Sequence, residues 1–360
     1  ASYIYLAIAA DPDTTTPTVE NSFDVVTYTG NGGTLSIDTD FKPDLIWAKS
    51  RDASHHHVLV DSVRGSDGLY GRLFSSTTGA ENTTSTDTVT NISTDGFTVN
   101  SAGSGSYVND SSTDYVAWVW KAGDHDDNLP QINTEGSSGG STLESIVSVN
   151  DEAGFSIVKY TGTGSVATIG HGLTNPPELI FVKTLDSIDN WMVLSTAVGA
   201  TKKASLNATN EFDTDSAPWN DTAPTSTVFT VGTKDATNKS GDEFIAYCWY
   251  SVAEYSKIGT YNGTGGANTI NTGFAPRFLL IKRTDSSGSW RLYDRARDTG
   301  SLPTRIDYNL NADTSGAEYN ASSETYGYSN FTSTGFSFVS GQNNSDINAD
   351  GGTYIYMAFK

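Results

Sequence analysis

Four short stretches of the chain are hydrophobic at almost every position and share one pattern: Tyr3-Ile4-Tyr5-Leu6-Ala7-Ile8, Tyr115-Val116-Ala117-Trp118-Val119-Trp120, Phe244-Ile245-Ala246-Tyr247-Cys248-Trp249 and Tyr354-Ile355-Tyr356-Met357-Ala358-Phe359. Alternation puts Ile4, Leu6 and Ile8, then Val116, Trp118 and Trp120, then Ile245, Tyr247 and Trp249, then Ile355, Met357 and Phe359 on one side of a strand, facing a core. The other side carries a small residue at Ala7, Val119, Cys248 and Ala358, which predicts partial cover there too. Three further runs, Leu45 to Ala48, Leu179 to Val182 and Phe278 to Ile281, are apolar without alternation. They predict a central strand buried on both faces. Pro43, Pro177 and Pro276 stand just before them, where a strand start spares an amide donor.

Each of these runs follows a shared stretch: Phe23 to Gly32, Phe155 to Gly164 and Ile258 to Gly265, all ending in a glycine-containing turn. The chain is therefore a threefold internal repeat, and residues common to the copies read as scaffold while residues found in one copy read as decoration. The boundaries expected are 1–21 for the terminal strand of a preceding repeat plus a Pro- and Thr-rich linker, 22–121 for repeat one, 122–153 for a linker whose last part adds a strand to repeat two, 154–252 for repeat two and 253–360 for repeat three, docked closely on its predecessor. The start at Ala1 rather than Met gives the expectation of a processed or excised piece. Short strands separated by turn residues, with no helical period, predict an all-β chain of three tandem antiparallel β-sandwich repeats, jelly-roll-like; propeller blades are usually about half this length.

Composition sharpens this picture. Hydrophobic residues are only 36% of the 360, yet 7 Trp, 18 Tyr and 15 Phe supply large buried surfaces. The formal charge of −21 repels phosphate backbones and anionic bilayers, so neither nucleic acid nor membrane insertion is expected. A single cysteine, Cys248, excludes an intrachain disulfide framework.

The sequences Gly154 to Gly164, Ile169 to Leu173, Val228 to Gly232, Tyr255 to Tyr261 and Gly351 to Tyr356 resemble a repeat family of marine bacteriophages, labelled tail-fibre-like or virion structural proteins. The resemblance covers nearly the whole chain and is loosest in repeat one. It implies a virion or extracellular setting and no particular chemistry.

Several residue groups invite a chemical reading. His55-His56-His57 looks metal-like, but neighbouring strand residues point to opposite faces, and His57 falls in register with Trp191 and Trp290, which makes it a packing aromatic. Asp346, Asn348 and Asp350 alternate as in a calcium loop, although Met357 stands where the bidentate Glu belongs, so a turn explains them as well. Asp124, Asp126 and Asp127 read as a solvated linker. Glu178 aligns with Asp44 and Arg277, and His171 with Thr39 and Thr272, so neither marks a glycosidase or hydrolase. Cys248 sits at a core position and reads as inert, and the glycine turns lack the helix of a phosphate loop. Arg277, Lys282, Arg283, Arg291, Arg295, Arg297 and Arg305 gather seven of the 21 basic residues. They are expected to pair internally with Asp285, Asp294, Asp298 and Asp307, the other reading being docking on repeat one of another copy. Trp219 is a candidate platform or a cap on its sandwich.

No catalytic residue, metal site or cofactor is expected, and no ligand-binding residue is assigned. The function expected is a structural and adhesive virion protein, a tail fibre or capsid appendage that binds a host-surface glycan or receptor. Its partners would be further copies of itself, a trimer by analogy with fibres, and other virion proteins. The alternatives are a purely structural decoration protein and a polysaccharide-degrading tailspike.

Overall fold

The computed structural model describes residues 21–66, 69–101, 103, 105–123, 131–133, 144–298, 305–321, 329–339, 341 and 343–360. The stretch Tyr3 to Ile8 and the linker carboxylates Asp124, Asp126 and Asp127 lie outside them. The chain is all-β, with six antiparallel sheets grouped in three sandwich-like regions and one small two-stranded hairpin. Among the described residues no helix is long and apolar enough to cross a membrane.

Each region is built the same way. An opening strand (Phe23–Thr29, Phe155–Thr161, Ser256–Asn262) pairs antiparallel with a closing strand (Asp114–Trp120, Glu243–Trp249, Thr353–Phe359). The closing strand pairs in turn with the apolar run (Leu45–Ser50, Leu179–Thr184, Phe278–Arg283), and that with a fourth strand (Val58–Asp61, Met192–Ser195, Arg291–Asp294). The apolar run is thus interior to its sheet and buried on both faces, as its sequence requires. In repeat two, Gln131–Asn133 and Ser145–Asn150 extend the sheet beyond the opening strand. A smaller sheet covers the other side: Thr34–Asp38, Gly96–Asn100 and Val89–Ser93 in repeat one, Ala167–Gly170 and Val228–Val231 in repeat two, Asn268–Asn271, Gly335–Phe338, Ser329–Phe331 and Arg305–Ile306 in repeat three.

The two faces of the closing strands have different destinations. Ala117 and Val119, Ala246 and Cys248, and Tyr356 and Ala358 point into the three separate sandwich interiors. Val116, Trp118 and Trp120, Ile245, Tyr247 and Trp249, and Ile355, Met357 and Phe359 point outward into one cluster to which all three repeats contribute. Phe23 stacks on Phe359 at 4.8 Å, Trp120 meets Trp249 at 6.1 Å, and Phe181 meets Trp290 at 6.1 Å, so every pair of repeats shares aromatic contacts. Tyr356 apart, the residues named on the sandwich side are small, and the bulky ones on the other side fill the space between repeats.

Polar bonds repeat around this cluster in cyclic order. The Trp191 indole N–H donates to Phe74 O of repeat one (2.9 Å) and the Trp290 indole to Ser205 O of repeat two (2.9 Å). His57, in the same register, bonds Asn311 O of repeat three through Nε2 (3.0 Å). Likewise Glu81 N donates to Leu185 O, Phe212 N to Thr284 O and Glu318 N to Arg51 O. Each repeat leans on the one before it and repeat one on repeat three, so the three close a ring within one chain.

Two of the three junctions carry a buried charge lock. Arg64 is ion-paired to Asp61 and Glu81 (both 2.6 Å), and Tyr247 of repeat two donates to Asp61 (2.7 Å). Arg297 is paired to Asp294 (2.6 Å) and Glu318 (2.8 Å), and the Trp118 indole of repeat one donates to Asp294 (2.9 Å). At the corresponding positions repeat two has Ser195, Val198 and Phe212, and repeat three presents Met357 where the others present Trp118 and Tyr247. An indole or phenol donor goes with a carboxylate lock, and a thioether goes with apolar partners.

Candidate functional site

The residues nominated from sequence are mostly consumed by the scaffold. His57 is fully buried; its Nδ1 accepts the Trp47 indole N–H (2.9 Å), which leaves the proton on Nε2 for Asn311 O. Burial and the nearby Lys49 hold it well below the usual imidazole range. Among the described residues no group of three His, Cys, Asp or Glu side chains is placed to hold a metal ion. Asp346 is paired with Arg291 (2.5 Å), Asn348 is buried and Asp350 is exposed, so the three calcium-like positions do not converge. Glu178 accepts the backbone N–H of Ser251 (2.8 Å) and its hydroxyl. Cys248 is buried, and burial pushes its thiol up. Trp219 is wholly enclosed in the repeat-two core, so it is no platform.

The basic cluster is largely internal. Arg283 pairs with Asp285, Arg297 with Asp294 and Arg305 with Asp307, while Asp298 accepts the Asp307 N–H and is pushed up to about 7 by burial. Arg277 reaches repeat one of its own chain, at Asp24 (2.8 Å). Lys282 is buried and donates to Thr209 O (2.9 Å) and Gly288 O (2.6 Å); its counterpart Lys183 donates to Thr78 O and Thr184 O. Burial pushes both lysines down to about 8 and Lys49 to about 7. The Lys183 and Lys282 amines tie junctions, while Lys49 bonds Ser50 O and Ala53 O within its own repeat.

The glycine turns are scaffold too. A buried asparagine fills each one: Asn109 Oδ1 accepts Asn31 N and its amide donates to Gly33 O, Asn238 does the same for Thr163 and Ser165, and Asn348 for Thr264 and Gly266. A Cβ on Gly30, Gly162 or Gly263 would collide with the backbone beside that asparagine. Asn238→Ala is expected to cost about 2 kcal/mol in urea unfolding, because a part-buried N–H and two carbonyls, one of them in the buried Gly232, lose their partner. A cost near zero would show that water replaces the clamp.

His171 is buried neutral, with Nδ1 accepting Leu173 N and Nε2 bonded to Thr225 O (both 3.1 Å). Burial lowers it to about 4. Its folded value lies below the unfolded one, so its contribution is complete above about pH 6.5 and declines as pH falls toward 4, by about 3 kcal/mol in all. His171→Gln, which keeps an acceptor and a donor but gains no proton, should lose that pH-dependent share when unfolding is compared at pH 7 and pH 4.5. Asp44 and Asp298, both pushed up to about 7, act in the opposite sense in this window but are common to both proteins. A wild-type minus variant difference that does not change with pH would refute the assignment.

Aligning the repeats shows an aromatic and imidazole group that, among the described residues, belongs to repeat one alone. His55, His56, Phe74 and Tyr107 of repeat one correspond to Asp189, Asn190, Ser205 and Ala236 in repeat two and to Gly288, Ser289, Asn311 and Asp346 in repeat three. All four are half-buried. Tyr107 lies 5.0 Å from Phe74, 5.7 Å from His55 and 6.0 Å from His56, the last pair stacked at 21°. Arg72 sits over the Tyr107 ring at 4.9 Å and the Phe74 ring at 5.4 Å. Asp87 holds this assembly: it pairs with Arg72 (2.9 Å), accepts Tyr107 N (3.1 Å) and takes the Ser106 hydroxyl. His56 Nδ1 meets Ser76 Oγ at 2.8 Å, and burial with Lys49 lowers its affinity for a proton. Sequence reasoning found the histidines and missed Phe74 and Tyr107; the signal available was their lack of an aromatic counterpart in the other copies.

Fold and site together define a closed three-repeat β-sandwich protein with one aromatic, imidazole-bearing platform. The chain belongs to the family described as Domain of unknown function (DUF7483), whose family model matches residues 19–360. No curated protein matches the sequence significantly.

Proposed function

We propose that the chain is a structural and adhesive protein of a bacteriophage particle, part of a tail fibre or capsid appendage, and that it has no catalytic role. The observation that carries this reading is the ring itself. The ionisable groups that might have served chemistry, Asp61, Arg64, Lys183, Asp294 and Arg297 among them, are committed to joining repeats. The phage setting rests on the sequence resemblance described above. Adhesion is supported by the platform, which leaves aromatic rings only half-buried and has no counterpart in the other two repeats. Mass spectrometry of density-banded phage particles should find the chain in a fixed copy number, and antibodies against it should label their surface. Its absence from the particles would overturn the reading. Further self-association, including a trimer, is part of the proposal, and light scattering of the intact chain tests it.

A further inference from the structure

We propose that His55, His56, Phe74 and Tyr107 form a binding site for a neutral pyranose unit of an oligosaccharide. This rests on the adhesive reading and names its ligand class. The site offers contiguous ring surface from three half-buried side chains around Tyr107, which suits the C–H face of a sugar ring. It also offers polar tips. His55 Nε2, His56 Nε2 and the Tyr107 hydroxyl have no protein partner among the described residues, and none is sealed from solvent. Imidazole nitrogens and a phenol both donate and accept, as sugar hydroxyls do. An aromatic floor with a few converging polar groups is the usual composition of a small-ligand site.

The floor is held in place before any ligand arrives. Arg72 braces two of the rings, and Asp87 fixes both Arg72 and the backbone of Tyr107. Little side-chain freedom then remains to be lost on binding. Neutrality of the ligand follows from charge. Asp87 offsets Arg72, His56 is held toward its neutral form, and a chain of net charge −21 repels a polyanionic glycan.

The test uses the full chain on an oligosaccharide array spanning neutral glucose, galactose, mannose, rhamnose and N-acetylglucosamine linkages, with oligogalacturonate as the anionic control. At least one neutral glycan should bind, and Tyr107→Ala should weaken it about tenfold, the loss of one stacked ring. Because Tyr107 also packs on Arg72, His56→Ala is the second variant; it should weaken the same glycan while the circular dichroism and melting of the chain stay unchanged. No binding to any neutral glycan, binding to oligogalacturonate alone, or binding indifferent to both variants would each overturn the site. Failure here with the chain still on the particle surface leaves the structural reading standing. Glycan binding by a chain absent from particles overturns that reading and keeps the site.

Discussion

Arg297→Met should destabilise the protein by about 3–5 kcal/mol, the usual penalty for stranding buried charges. Arg297 is fully buried, and its loss leaves Asp294, itself fully buried, with the Trp118 indole and the backbone N–H of position 297 but no cation, while Glu318 keeps only Arg51. The other junctions suggest a rescue. Asp294→Ser, Arg297→Val and Glu318→Phe, combined with Trp118→Met, import the set that repeats two and three use where they meet. Replacing a buried ion pair with packed apolar groups is often neutral, so the fourfold variant should recover more than half of the loss in urea unfolding. A variant no more stable than Arg297→Met alone would show that the lock and its facing residue are not interchangeable units.

Residues 154–252 taken alone should not persist as a folded monomer. In the intact chain Ile157, Phe181, Trp191, Tyr247 and Trp249 are all less than 2% exposed, and all five belong to the cluster shared by the three repeats. Uncovering five such side chains forfeits on the order of 10 kcal/mol, comparable to the whole stability of an ordinary domain. The fragment is expected to self-associate in light scattering and to bind a hydrophobic dye, whereas the full chain should melt in one transition with one calorimetric enthalpy. A monodisperse fragment that melts where the full chain does would refute the shared core.

The strands themselves were legible because their signals are local. The runs at Leu45, Leu179 and Phe278 are buried on both faces as their unbroken apolarity required, and the register that pairs His57 with Trp191 and Trp290 matches bonds at equivalent places. The candidate site was half legible. Three adjacent histidines draw the eye, but Phe74 and Tyr107 look like ordinary aromatic residues until distance brings them to His56. Trp219 had two readings, a platform or a cap on its sandwich, and burial in the repeat-two core selects the second.

By itself the sequence determined the all-β class, the threefold repetition and the residues each strand would bury, since alternation and turn chemistry act over a few neighbouring positions. Only the tertiary structure decided that the tryptophan-bearing faces meet one another rather than their own second sheets. It also decided that arginines read as surface pairs become buried locks. Those outcomes depend on contacts such as Arg51 with Glu318, 267 positions apart, and no local pattern encodes which distant surface a strand's outer face will meet.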